Sequence, residues 1–174
     1  MSEDAWYYEA VEFANENNLF SGMTAKEFGP SVAMIRGMFV TVLSKLNGGE
    51  IDGEADFVDV DPNAYYAKPV AWAYTKGIVN GVGNNKFAPN MSITREQLAV
   101  MMYNYMVVEQ IDKPASLVEF PEFADAEEIS EWAESAVNVM RATGLMSGKP
   151  GNNFDPKGTA TRAEVATILM NFCK

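Results

Sequence analysis

The chain has 174 residues, 48% of them hydrophobic and 21% charged, with a formal net charge of −11. That balance belongs to a globular protein and not a disordered one. The acidity excludes nucleic acid and anionic lipid as general partners, because both need clustered Lys and Arg. It leaves room for one acidic ligand at a local site, where nearby charges outweigh net charge at physiological salt. Histidine is absent and Cys173 is the sole cysteine. Ser-His and Cys-His nucleophile systems, most zinc sites and an intrachain disulfide are therefore excluded. No apolar run reaches the roughly 20 residues that span a bilayer. The opening Met1-Ser2-Glu3-Asp4 is no export leader, so for a secreted protein the signal is expected outside this sequence.

In chain order, the first predicted helix carries Tyr7, Ala10, Val11 and Ala14 at i, i+3, i+4, i+7, which makes one buried face. Asn18 suits a left-handed helix end. A second helix follows, with Phe39, Val42, Leu43 and Leu46 at the same spacing. Residues 48–56 read as a linker. An EF-hand counted from Asp52 would need Gly and Glu where Phe57 and Asn63 stand, so no calcium loop is expected. The next helix pair carries Tyr66, Pro69, Val70 and Ala73, then Leu98, Met101, Met102 and Tyr105. Pro69 belongs in a first turn, Gly77 ends the first of these helices, and the methionine pair is packing rather than a metal site. Trp72 is read as no repeat feature, and it is expected to cover a local surface. A linker at 112–119 leads to the last pair, with Ala133, Ala136, Val137 and Met140, then Val165, Ile168, Leu169 and Phe172. Thr94 with Gln97 and Thr161 with Glu164 are capping boxes; Ile35 and Met38 leave the corresponding helix without one.

These three pairs are copies of one unit. Aligned on Gly22, Gly81 and Gly148, they place Trp6, Tyr65 and Trp132 sixteen residues earlier. Phe28, Phe87 and Phe154 stand six residues later, Pro30, Pro89 and Pro156 eight later, and Arg36, Arg95 and Arg162 fourteen later. The chain has four arginines, and three of them fall at this one position. A solubilising residue would wander. Two helices alone cannot bury their apolar faces, so three pairs are expected to pack their second helices together as a pseudo-threefold core.

The second unit runs Phe57-Val58-Asp59-Val60, Ala71 to Gly81, Phe87-Ala88-Pro89-Asn90 and Ile93-Thr94-Arg95-Glu96-Gln97. The third has Phe123-Ala124-Asp125, Phe154-Asp155-Pro156 and Thr161-Arg162-Ala163-Glu164. Both closely resemble S-layer homology repeats. The first unit resembles a degenerate copy, lacking the opening Phe-x-Asp and carrying Ile35-Arg36-Gly37-Met38 where Thr-Arg-Ala-Glu would stand. The resemblance implies one all-α domain over 1–174, with repeats at 1–47, 57–108 and 121–174, folded as a three-pronged spindle around a central helical bundle. It implies a monomeric pseudo-trimer that anchors a secreted protein to the bacterial cell wall or S-layer without a covalent bond. The implied ligand is a secondary cell-wall polysaccharide, pyruvylated or otherwise anionic, held in grooves between repeats.

Carried over residue by residue, the resemblance names Arg36, Arg95 and Arg162 with Thr94 and Thr161 at the helix starts, and the aromatics Trp6, Tyr65 and Trp132. Chemistry agrees with that assignment. A guanidinium fork matches a ketal carboxylate, a helix N-terminus favours anions, and an indole or phenol stacks on a sugar face. On this reading the guanidinium groups face outward into clefts. A second reading stands beside it: the arginines pair with carboxylates of a neighbouring repeat, and the three aromatics belong to the core. No cofactor, metal or catalytic residue is expected. Acidic pairs such as Glu127-Glu128 do not recur between repeats, so wall hydrolysis is not supported. The rival function is a protein-interaction scaffold that keeps the fold without binding glycan.

Overall fold

The computed structural model describes residues 3–22, 24, 27–48, 50–113, 115 and 120–174. Residues 114 and 116–119 of the expected second linker lie outside the described residues. So do residue 49 of the first linker and residues 1, 2, 23, 25 and 26 of the first repeat. The fold is all-α. Its helices are α1 (Tyr8–Glu16), α2 (Arg36–Asn47), α3 (Ala67–Thr75), α4 (Arg95–Val108), α5 (Glu134–Ala142) and α6 (Arg162–Cys173), with a short 3-10 turn at Ala126–Glu128. Among the described residues, β-structure is confined to isolated bridges such as Ile35 with Ser92.

The chain forms two compact units, one of Met1–Ser92 with Ala160–Lys174 and one of Ile93–Thr159. In the first unit α1 packs on α6 and α2 on α3; in the second α4 packs on α5. The packing pairs are thus one helix out of phase with the sequence repeats. Each first helix rests on the second helix of another repeat and not on its own. The apolar faces read from the sequence are the ones that meet. Ala10, Val11 and Ala14 of α1 are buried, as are Val165, Ile168, Leu169 and Phe172 of α6. Val70 and Ala73 of α3 and Phe39, Val42 and Leu43 of α2 are buried in the same unit. Each large side chain so buried contributes roughly 1.5–3 kcal/mol. Trp72 corrects its expectation: it is 1% exposed and belongs to the core, since it lies beside Val70 and Ala73 on the buried side of α3.

Local chemistry sets the helix boundaries. Thr94 and Thr161 form the full capping boxes at α4 and α6, whereas Ile35 gives α2 no side-chain cap. Asn18, Gly77 and Gly144 all take positive φ, at 54°, 75° and 70°. The chain then turns back, so that Leu19 N–H donates to Ala14 O at 2.9 Å and Ile78 N–H to Ala73 O at 2.8 Å. Pro69 lies in the first turn of α3, where its missing N–H costs nothing.

A second left-handed position follows each repeat phenylalanine. Gly29, Ala88 and Asp155 hold φ of 68°, 57° and 57°. For the two non-glycine residues this conformation costs roughly 1–2 kcal/mol. The Phe-x-Asp aspartates hold it in place. Asp59 accepts from the Phe87 and Ala88 amides, both at 2.8 Å. Asp125 accepts from those of Phe154 and Asp155 at 2.6 and 2.7 Å. In repeat one glycine stands at this position, where a positive φ carries no such cost. Asp59→Ala should therefore lower stability by about 2–4 kcal/mol, because two loop amides lose their acceptor. Ala88→Gly should recover about 1 kcal/mol of that loss. Urea midpoints of the two single variants and the double variant check this coupling.

Candidate functional site

The three repeat arginines do not face outward. Arg36, Arg95 and Arg162 are 3%, 4% and 3% exposed. Each drives its fork into the loop of another repeat within its own unit. Arg36 Nε donates to Phe87 O at 2.8 Å and Nη2 to Asn80 O at 3.1 Å. Arg95 Nε donates to Phe154 O at 2.6 Å and Nη2 to Ser147 O at 2.9 Å. Arg162 Nε donates to Phe28 O at 2.8 Å and Nη2 to Ser21 O at 2.7 Å. In each case the guanidinium also lies over the ring of the same phenylalanine, at 4.6, 5.0 and 4.7 Å from Phe87, Phe154 and Phe28. Carbonyl dipoles and the ring's negative face replace water around a buried cation. Burial still lowers the Arg36 pKa to about 10, with Asp59 pulling it upward, so the group stays charged at neutral pH. Burial likewise lowers that of Arg162, with Tyr65 opposing.

The helix N-termini are occupied in the same way. The first two amides of α2 donate to Met91 O and Pro89 O, at 3.0 and 2.8 Å. Those of α4 donate to Gly158 O and Pro156 O, at 2.9 and 3.1 Å, and those of α6 to Val32 O and Pro30 O, at 2.9 and 3.0 Å. Thr94 Oγ1 accepts the Gln97 amide and Thr161 Oγ1 the Glu164 amide, both at 3.3 Å. The donors expected for an anion therefore serve the fold. The repeat proline is the acceptor that closes the second of these bonds in every copy. The alignment glycine is required as well. A Cβ on Gly22 would sit 2.4 Å from Thr24 O, and one on Gly81 2.7 Å from Lys86 O.

The aromatics take the opposite placement. Trp6, Tyr65 and Trp132 are 67%, 60% and 58% exposed, in the turns that precede α1, α3 and α5. Trp6 packs edge-on against Tyr7 at 5.3 Å, and Tyr65 against Tyr66 at 5.0 Å. Tyr65 also lies within the field of Arg162. Partial burial raises the Tyr65 pKa, Tyr66 adds to the rise, and the Arg162 cation opposes it. One arginine and one aromatic of the expected set thus interact through charge, the arginine buried and the ring exposed.

Comparison with known proteins agrees with the repeat. The S-layer homology domain model matches residues 1–37, 56–99 and 122–166. An amylopullulanase of Thermoanaerobacterium thermosulfurigenes is 34% identical over 169 residues, covering 96% of this chain and 9% of the relative. The surface-layer 125 kDa protein of Lysinibacillus sphaericus is 28% identical over 92% of this chain and 13% of its own length. S-layer protein sap of Bacillus anthracis is 25% identical over 95% of this chain and 20% of its own. The chain thus spans a fifth or less of these relatives.

Replacing the fork by an ammonium tests its structural duty. Arg36→Lys and Arg95→Lys should each cost about 2–4 kcal/mol, because one point charge does not satisfy two separated carbonyls and a ring face together. Urea unfolding followed by the fluorescence of buried Trp72 measures the loss.

Proposed function

This chain belongs to the S-layer homology domain family, and on that premise we propose that it is a non-catalytic anchoring module that holds a secreted protein to the bacterial cell wall. The proposed ligand is an anionic wall polysaccharide, pyruvylated or bearing another acid. The proposed contact points are Trp6, Tyr65 and Trp132, with the arginines and threonines acting from beneath by holding the surrounding loops in place. The repeat boundaries 1–47, 57–108 and 121–174 are part of this proposal.

One observation carries the reading. Three rings at one repeat position stand exposed, whereas the neighbouring Ala10, Val70 and Ala136 are buried. An exposed ring adds little to a core and offers a flat apolar face to a sugar. The buried Arg162 cation interacts with Tyr65 and supplies a local positive field that favours an acidic sugar on a protein of net charge −11. The kinship supports the setting: the relatives include surface-layer proteins, and the amylopullulanase carries this region as 9% of its length. Each ring is worth roughly 0.5–1.5 kcal/mol. Several rings on one polymer multiply that through avidity, by about 10²–10⁴ in favourable geometry.

Cosedimentation with protease-treated wall sacculi tests the proposal. Single Ala variants of Trp6, Tyr65 and Trp132 should weaken binding roughly 2- to 10-fold each, with melting temperature unchanged. The triple variant should stay in the supernatant, and mild-acid removal of ketals from the sacculi should have the same effect on the wild type. A triple variant that sediments normally would refute the aromatic contacts. Binding that disappears with the protease treatment would favour the protein-interaction alternative.

A further inference from the structure

The residue after each repeat arginine differs between copies: Gly37, Glu96 and Ala163. All three lie at the buried start of a second helix, where a small side chain is the simple solution. At Gly37 the absence of a side chain lets Tyr66 lie on the helix backbone. A Cβ there would sit 3.0 Å from the Tyr66 ring, and that ring in turn abuts Tyr65 at 5.0 Å. In the second unit the equivalent position carries a buried carboxylate. Glu96 accepts two bonds from Lys157 Nζ, at 2.7 and 2.8 Å, and one from the Ser130 amide at 3.1 Å. Lys157 Nζ also donates to Ser130 Oγ at 2.5 Å. Ser130 opens the turn that bears Trp132, and the Ala133 amide closes that turn onto Ser130 O at 2.8 Å.

We propose that Glu96 and Lys157 form a latch that positions Trp132 through Ser130, giving the surface around Trp132 a recognition role of its own. Glu96 and Lys157 are positioning residues; the contact with a sugar is left to the ring. That recognition role rests on the wall-binding reading, whereas the latch itself does not. The buried carboxylate is costly without its partners, so it stays engaged and fixes the turn. Its partner is accessible: the Lys157 side chain is 57% exposed against 5% for Glu96. The turn bearing Tyr65 has no such acid at the corresponding helix start and is set by ring packing instead. Two recognition surfaces of one chain are therefore held by different chemistry, one ionic and one apolar.

Amide exchange in the intact chain decides the latch. In Glu96→Ala and the isosteric Glu96→Gln, the Ser130 amide should exchange roughly tenfold faster or more, as expected for loss of a hydrogen bond to a charged group. In a Trp6→Phe background, where Trp132 is the exposed indole, its fluorescence anisotropy should fall in the same variants. Thr161→Ala, which weakens a cap in the other unit, should move neither reading. Unchanged Ser130 exchange and Trp132 anisotropy in both Glu96 variants would overturn the latch. Its role in recognition is read by a double-mutant cycle on wall sacculi. Glu96→Ala should weaken binding, and Glu96→Ala with Trp132→Ala should bind as Trp132→Ala alone. Additive losses would overturn that role. If Trp132→Ala binds like the wild type, it is the wall-binding reading that fails, and the exchange measurement still decides the latch.

Discussion

Most of this structure depends on one buried guanidinium used three times. Each arginine fork holds two carbonyls of another repeat's loop and lies on the ring between them. The fixed offsets follow from that geometry. The phenylalanine must present its carbonyl and its face to the same cation. The residue before the alignment glycine must present the second carbonyl, and the loop closes tightly enough to forbid a Cβ at Gly22 and Gly81. The proline two residues after the phenylalanine must turn its own carbonyl onto a helix amide. Where an aspartate is present, it holds the phenylalanine from the other side through its N–H. One phenylalanine in each of repeats two and three is thereby fixed at amide, carbonyl and ring.

The interlock also explains why the sequence repeat and the packing unit differ. A repeat is a stretch of chain whose arginine and loop serve different partners. Arg36 reaches the loop at 80–87, Arg95 the loop at 147–154, and Arg162 returns to the loop at 21–28. The last repeat therefore needs the first. This separates what repeat one shares with the other two from what it does not. It retains Phe28, Pro30 and Arg36, which other repeats use. Its second helix lacks the capping threonine, worth roughly 1 kcal/mol locally. The local cap thus differs between repeats, whereas the residues on which a distant segment depends are present in all three.

That distinction marks what could be read from the sequence. Helix faces, both capping boxes and the left-handed ends at Asn18 and Gly77 were legible, because each is written in side chains a few residues apart. The arginine's recurrence was legible; its direction was not. Its acceptors are backbone carbonyls, and a carbonyl leaves no trace in residue identity. Neither did the carbonyls that fill the helix N-termini, so a site that looked ready for an anion was already satisfied. The exposure of Trp6, Tyr65 and Trp132 was equally hidden, since an aromatic at a fixed offset suits a core and a binding surface alike. Glu96 did leave a signal. An acid where the other copies carry Gly and Ala is a local conflict, and Lys157 resolves it.

For the acidic ligand proposed above, separating cation from contact removes the difficulty of meeting an acidic chain. An arginine exposed to solvent would offer its charge to salt, which screens it within about 8 Å at physiological ionic strength. A buried arginine held by carbonyls keeps its charge in a region of low dielectric, where its field reaches the surface with less attenuation. The arrangement also divides the consequences of mutation. Changing a ring alters a surface and leaves the helices standing, whereas changing an arginine frees a loop, two carbonyls and a ring face at once. Loss of binding in an arginine variant therefore reports the scaffold first. Evidence for a sugar contact has to come from the rings.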